Sequence, residues 1–234
     1  MNTTETTLNP NLIPFDDTYV LYNPQDPISF LCVYFSLLPI GILLFYFSWF
    51  LCTRELEAVI IAGGHVLNDI LNNIVKNIIK QPRPNFFGDS FQKGTIRSGY
   101  GMPSAHSQFM GFFAMYHTLR ILLYWQGLSQ ARKFLSIVVI LVATLCVAGS
   151  RVYLGYHNTE QVVIGVSLGA CAGSLYFLAV GIVRELGLID WVLSWPIVKR
   201  LWVKDSCYYA PLSLQAEHEA WEKRRKTLDS KKLA

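Results

Sequence analysis

The sequence predicts an all-α protein, a polytopic membrane helix bundle of about five transmembrane spans. Three observations point there. Hydrophobic residues fill 52% of the 234 positions and charged residues only 15%, against roughly a quarter in soluble domains, and the mean hydropathy is +0.32. Apolar runs long enough to cross the hydrocarbon as helices recur along the chain. The polar residues that interrupt them gather into three short clusters, Lys76 to Pro84, Gly101 to His106 and Ser150 to Gln161.

Residues 1–27 are polar, carry Pro10, Pro14, Pro24 and Pro27, and read as an irregular tail; Asn2-Thr3-Thr4 is a formal glycosylation sequon. The tail lacks the basic segment of a cleaved signal peptide, so the first apolar stretch is expected to remain as a span. That span, Ile28 to Cys52, is uncharged. The second, about Leu56 to Ile79, carries a polar stripe: Asn68, Asn72 and Lys76 at four-residue spacing, with Asp69 and Asn73 alongside. Polar groups at membrane depth usually face the bundle interior or a wet cavity. A loop rich in Pro and Gly follows from Gln81 to Met102. Further spans are expected from Ser104 to Trp125, Phe134 to Tyr156 and Gln161 to Val183. The stretch Gly187 to Val203, broken by Asp190, Pro196 and Lys199, reads as an interfacial helix with Trp191, Trp195 and Trp202 at headgroup level. Residues 215–234 read as a charged helical tail that frays. Three regions result: a polar tail over 1–27, a membrane domain over 28–186, and an interfacial segment with a basic tail over 187–234.

The five cysteines form no C-x-x-C pair and read as small buried apolar residues rather than disulfides or metal ligands. No basic stripe with interleaved aromatics appears, so nucleic acid is not an expected partner. With five spans, the end of the second, the start of the third and the end of the fourth emerge on one side, and the three clusters lie there. Arg54, Arg132, Lys133, Arg184 and the basic tail fall on the other side, while residues 1–27 hold no Lys or Arg. The cluster side also holds Lys80, Arg83, Lys93 and Arg97, against a naive count. With that loop's charge taken as phosphate-binding rather than topogenic, the positive-inside rule places the clusters and the N-terminus outside or in a lumen and the C-terminus in the cytosol.

Cleaving a phosphoester or phosphoanhydride needs a nucleophile, an acid for the leaving group, and cations around the equatorial oxygens. Lys76, Arg83 and Arg151 are three cations able to converge on one anion, Arg as a planar fork and Lys as a point charge. Ser104, with the backbone N–H groups of Ala105 and His106, would meet an anion at a helix N-terminus. His106 and His157 can divide the roles of acid and nucleophile. His65 and His117 stand outside the clusters and read as structural.

Lys76-x6-Arg83-Pro84, Pro103-Ser104-x-His106 and Ser150-Arg151-x5-His157 resemble the three signatures of the phosphatidic acid phosphatase type 2 superfamily of integral-membrane lipid phosphatases. The resemblance implies His157 as the nucleophile forming a phosphohistidine and His106 as the acid that protonates the leaving group. It implies Lys76, Arg83, Ser104 and Arg151 as phosphate ligands, and no metal or other cofactor. Two positions depart from the pattern: Ala105 stands where Gly is usual, and Gln161 where an Asp usually orients the nucleophilic histidine. Gln161 can accept from a ring N–H but cannot stabilise an imidazolium as a carboxylate would. Either Glu160 compensates or the histidine works with lower basicity.

Within the superfamily, Gly101 to Met110 and Ser150 to Gln161 look like the dolichyldiphosphatase family. That likeness implies a polyisoprenoid diphosphate lipid as substrate, in the endoplasmic reticulum membrane with a luminal site, in recycling the carrier for protein N-glycosylation. The ending Lys231-Lys232-Leu233-Ala234 resembles a dilysine retrieval signal. A broader lipid phosphate phosphatase, for phosphatidic acid or sphingoid phosphates, is the alternative in the same class, with residues 84–100 a natural place for selectivity. From another class, a silent protein binding anionic lipid would explain Gln161.

Overall fold

The computed structural model describes residues 13–15, 20–84, 99–207 and 214–232. The Asn2-Thr3-Thr4 sequon, residues 85–98 of the long loop, and the last two residues of the dilysine-like ending lie outside them. Among the described residues, a two-stranded antiparallel sheet of β1 (Ile13–Phe15) and β2 (Val20–Tyr22) precedes eight helices. These are α1 (Pro27–Thr53), α2 (Leu56–Ile79), α3 (Ala105–Leu123), α4 (Gln130–Tyr153), α5 (Thr159–Glu185), α6 (Leu188–Ser194), α7 (Pro196–Arg200) and α8 (Leu214–Lys232).

Local chemistry sets the helix ends. Asp26 caps α1 by accepting the Ile28 N–H, with Pro27 in the first turn, where its missing N–H costs nothing. Arg54 and Lys80 close α1 and α2 in the left-handed conformation. Ser129 caps α4, and Asn158 caps α5 by accepting the Gln161 N–H at 2.8 Å. That last cap fixes the helix start beside His157.

α1, α2, α4 and α5 are long and apolar enough to cross a membrane. α3 is the fifth member of the bundle. Its 19 residues reach about 28 Å, close to the hydrocarbon thickness. It is less apolar because it occupies the middle, packed most extensively on α5 and next on α4. The α3–α5 crossing is unusually close. A Cβ at Gly169 would lie 2.0 Å from the Gln108 carbonyl oxygen, one at Gly111 2.2 Å from that of Val166, and one at Gly165 2.8 Å from that of Ser104. Small residues at four-residue spacing let the two backbones touch. An aromatic core of Tyr46, Ile61, Phe112, Tyr116 and Phe177 fills the level beyond. Outward faces carry Leu44, Phe45, Phe47, Phe134, Leu145 and Leu175, as a lipid-facing surface requires.

The polar stripe of α2 divides. Asn68 and Asn72 are buried against α3, where Gln108 donates to Asn68 Oδ1 at 2.9 Å and accepts from Asn72 Nδ2 at 2.7 Å. Asp69 and Asn73 are exposed.

Three expectations need correction. The N-terminal stretch is not wholly irregular: β2 packs against α1 and the α4–α5 connection through Leu21, Cys32, Leu154 and Tyr156. Arg184 is not a loop charge. It is buried and paired with Glu57 and with Asp205, whose oxygens lie 3.1 Å away, and Glu57 also pairs with Arg120 at 2.7 Å. Cys52 and Cys171 are exposed rather than buried, and all five cysteines are free. The segment after α7 closes this end, with Lys204 bonded through its backbone to Arg54 and Leu56. Trp191, Trp195 and Trp202 on the α6–α7 stretch are exposed.

Candidate active site

The three clusters lie at the other end of the bundle. α4 ends at Tyr153, and the backbone carbonyl of Arg151 then accepts the N–H groups of both Tyr156 and His157, so the chain folds tightly back before α5 begins. This turn holds His157 almost fully buried. Its Nδ1 lies 3.0 Å from Gln161 Oε1 and its Nε2 3.2 Å from Arg83 Nη1. Because a guanidinium only donates, Nε2 presents its lone pair, and Nδ1 carries the hydrogen given to Gln161. Burial pushes the His157 imidazole well below its usual pKa. Arg83, Arg151 and, least, Lys76 push the same way, and the bond to Gln161 opposes them.

Arg83, on the segment after α2, also donates to the carbonyls of Gly99 and Tyr156. Arg151 is buried. It donates to Ser36 Oγ of α1 at 3.0 Å, and its guanidinium lies 4.1 Å from the centre of the Tyr156 ring. The Tyr156 hydroxyl in turn accepts the Leu21 N–H of β2 at 2.9 Å. Lys76 sits on the last turn of α2, within electrostatic reach of His157.

Ser104 stands at the start of α3, its backbone N–H on the Gln161 carbonyl at 3.1 Å. Its hydroxyl accepts from Ser107 at 3.0 Å instead of capping the helix. Ala105 and His106 follow as the first two helical residues, both half-buried. The structure therefore brings together Lys76, Arg83, Arg151, His157 and Gln161, with Ser104, Ala105 and His106 joined through the Gln161 backbone. Glu160 is exposed and reaches Gln81 Nε2 at 3.5 Å, while Gln161 itself occupies the place beside His157.

Ser36, Gln81 and Tyr156 support the site and escaped the sequence reading. Tyr156 could have been noticed as the aromatic next to His157. Ser36 is one serine among several in the first span and carries no signal.

The two histidines outside the clusters are internal. His117 Nε2 bonds the Tyr46 hydroxyl at 2.8 Å. His65 stacks on Phe109 with 3.8 Å between ring centres.

This end of the bundle thus holds a buried imidazole whose Nε2 lone pair faces Arg83, with Arg151 and Lys76 close by. Residues 57–184 match the model of the PAP2 superfamily, and the chain belongs to that superfamily. It is 56% identical to a dolichyldiphosphatase of Saccharomyces cerevisiae, over 96% of this chain and 95% of that protein. It is 34% identical to lipid phosphate phosphatase gamma of Arabidopsis thaliana, over 92% of this chain and 93% of the relative. The fold resembles the crystal structure of a transmembrane PAP2-type phosphatidylglycerolphosphate phosphatase from Bacillus subtilis. The TM-score is 0.50 at 21% identity, covering 62% of this chain and 73% of that one.

Proposed function

We propose that this protein hydrolyses dolichyl diphosphate to dolichyl phosphate and inorganic phosphate at the luminal face of the endoplasmic reticulum membrane, returning the carrier for protein N-glycosylation. The observation that carries the chemistry is His157, with Nδ1 engaged by Gln161 and Nε2 turned toward Arg83. The 56% identity to a dolichyldiphosphatase supports the substrate.

The terminal phosphate takes over the guanidinium of Arg83, and its oxygens spread over Arg83, Arg151, Lys76 and the start of α3 at Ser104. His157 Nε2 then attacks phosphorus, forming the N–P bond as the bond to the bridging oxygen breaks. His106 gives its proton to that oxygen and dolichyl phosphate leaves. Water, deprotonated by His106, attacks the phosphohistidine, releasing inorganic phosphate and restoring both histidines. The cations supply the charge stabilisation, so the reaction is expected to proceed without a metal. Lipid tails lie among the spans and the diphosphate at the surface.

Detergent-purified protein is offered dolichyl diphosphate and phosphatidic acid in EDTA. Release from the diphosphate alone is expected, with an acid-labile phosphoenzyme that disappears in His157→Ala along with at least about 10³-fold of the rate. Comparable release from both lipids would favour the second reading, a general lipid phosphate phosphatase, which the 34% identity to lipid phosphate phosphatase gamma supports. Retained turnover in His157→Ala would remove the mechanism.

A further inference from the structure

Gln161 raises a problem of orientation. A carboxylate at that position would accept the His157 Nδ1–H with either oxygen. An amide accepts with one end only, and its other end is a donor that would face the ring nitrogen if the group turned over. Something must hold the amide the right way round.

Two acceptors do so. Gln161 Nε2 donates to the Pro82 carbonyl at 2.9 Å and to Gln81 Oε1 at 3.1 Å, which uses both of its hydrogens and leaves Oε1 facing Nδ1. Gln161 is completely buried, so water does not compete for these bonds. Gln81 is itself held. Its backbone carbonyl accepts the Gly101 N–H at 2.7 Å, and its side-chain Nε2 points to Glu160 Oε2 at 3.5 Å. Gly101 is closely fitted as well, since a Cβ there would lie 2.6 Å from Gln161 Nε2.

We infer that Gln81 is a positioning residue for the reaction: by accepting from Gln161 Nε2 alongside the Pro82 carbonyl it fixes the amide, and the amide, with Arg83 on the opposite ring nitrogen, fixes His157 as the Nδ1–H tautomer with its Nε2 lone pair on the Arg83 side. The Gln81–Gln161 pair thereby reproduces with two neutral groups the orienting part of a carboxylate's role, without its negative charge beside the imidazole. The charged groups facing this assembly are Arg83, Arg151 and Lys76 around the ring and Glu160 beyond Gln81. This inference rests on His157 being the nucleophile proposed above.

The test compares the wild type with Gln81→Met, which keeps the length and loses the acceptor, and Gln81→Glu, which keeps the acceptor. Gln81→Ala serves as a second acceptor-free variant if Gln81→Met folds poorly. Two readouts are taken. The first is kcat and KM on a polyisoprenyl diphosphate. The second is the ¹⁵N signal of His157 in histidine-labelled protein, which reports the tautomer without any turnover. In the wild type a single Nδ1–H form is expected. Gln81→Met should give a mixture of tautomers and a kcat lower by about 10-fold or more, with KM changed little. Gln81→Glu should recover the single tautomer and at least half of kcat on its pH plateau. A single tautomer and full kcat in Gln81→Met would overturn the inference, as would a loss in Gln81→Glu equal to that in Gln81→Met. If the wild type released no phosphate from any lipid yet showed the tautomer change in Gln81→Met, the proposed function would fail and the positioning role would stand.

Discussion

The imidazole of His157 is enclosed by burial and by three cations, and both influences favour its neutral form. A folded-state pKa depressed from 6.5 means the ring, the proposed nucleophile, stays unprotonated as the pH falls through the range where an ordinary histidine would gain its charge. The same shift has a consequence for stability. The unfolded chain takes up a proton near 6.5 and the folded chain does not, so this group costs stability progressively below that pH. A ¹⁵N titration of the free protein should show His157 neutral from pH 8 to pH 5; a transition near 6.5 would defeat the idea of a permanently ready nucleophile. Much of this was readable beforehand. Histidines and strong cations seldom occur at regular spacing in apolar sequence without a role, so Lys76, Arg83, Arg151, His106 and His157 stood out. Gln81 did not, because a glutamine in a Pro-rich loop resembles any solvated residue. Its meaning depends on a contact 80 positions away with Gln161.

Among the elements, the α3–α5 crossing governs how the pieces of the site meet. Ser104 leads into α3 and Gln161 lies in the first turn of α5, so the spacing of those two helices sets the distance between the two halves. Gly165, Gly169 and Gly173 of α5 lie against the carbonyls of Ser104, Gln108 and Phe112. Backbone cannot rotate away as a side chain can. Gly169→Ala must therefore push the helices apart, at a cost of about 1–3 kcal/mol. Its thermal midpoint in detergent should drop by several degrees and its activity should fall with it. Gly149→Ala, on α4 with nothing within 4 Å of the added Cβ, should change neither. Equal midpoints for the two variants would mean that the close approach is not what holds the pair. The first two helices were legible because apolar runs bounded by Asp26, Arg54 and Pro82 leave few choices for their ends. α4 instead starts at Gln130, ahead of the expected Phe134, because Ser129 caps a polar first turn that hydropathy alone does not mark, and it ends at Tyr153 rather than Tyr156. The β1–β2 sheet was not legible, since three-residue strands carry too little periodicity to be told from coil. The four-residue glycine spacing of α5 went unread, because its meaning depends on the helix it packs against.

Across the whole molecule the charges separate into two ends with different duties. Those of the reactive end surround His157. At the other end Glu57 joins Arg120 and Arg184, Asp205 completes the pairing of Arg184, and Glu55 pairs with Lys204. Charges that neutralise one another inside the bundle contribute little to the positive-inside bias, so Arg184 drops out of the orientation argument. Lys133, largely buried, also weighs less. Arg54 and Arg132 remain, with Lys223, Arg224, Arg225 and Lys226 exposed along α8. They all fall on the side away from His157 by the parity of the spans, and the positive-inside rule is the ground for proposing that this side faces the cytosol. In sealed vesicles derived from the endoplasmic reticulum, added protease should therefore remove a tag placed at the C-terminus. Phosphate release from an impermeant short-chain isoprenyl diphosphate should stay latent until the vesicles are opened with detergent. A protected tag together with activity that needs no detergent would invert the orientation. The site would then face the cytosol, and the luminal role proposed for it would be lost even if the chemistry at His157 survived.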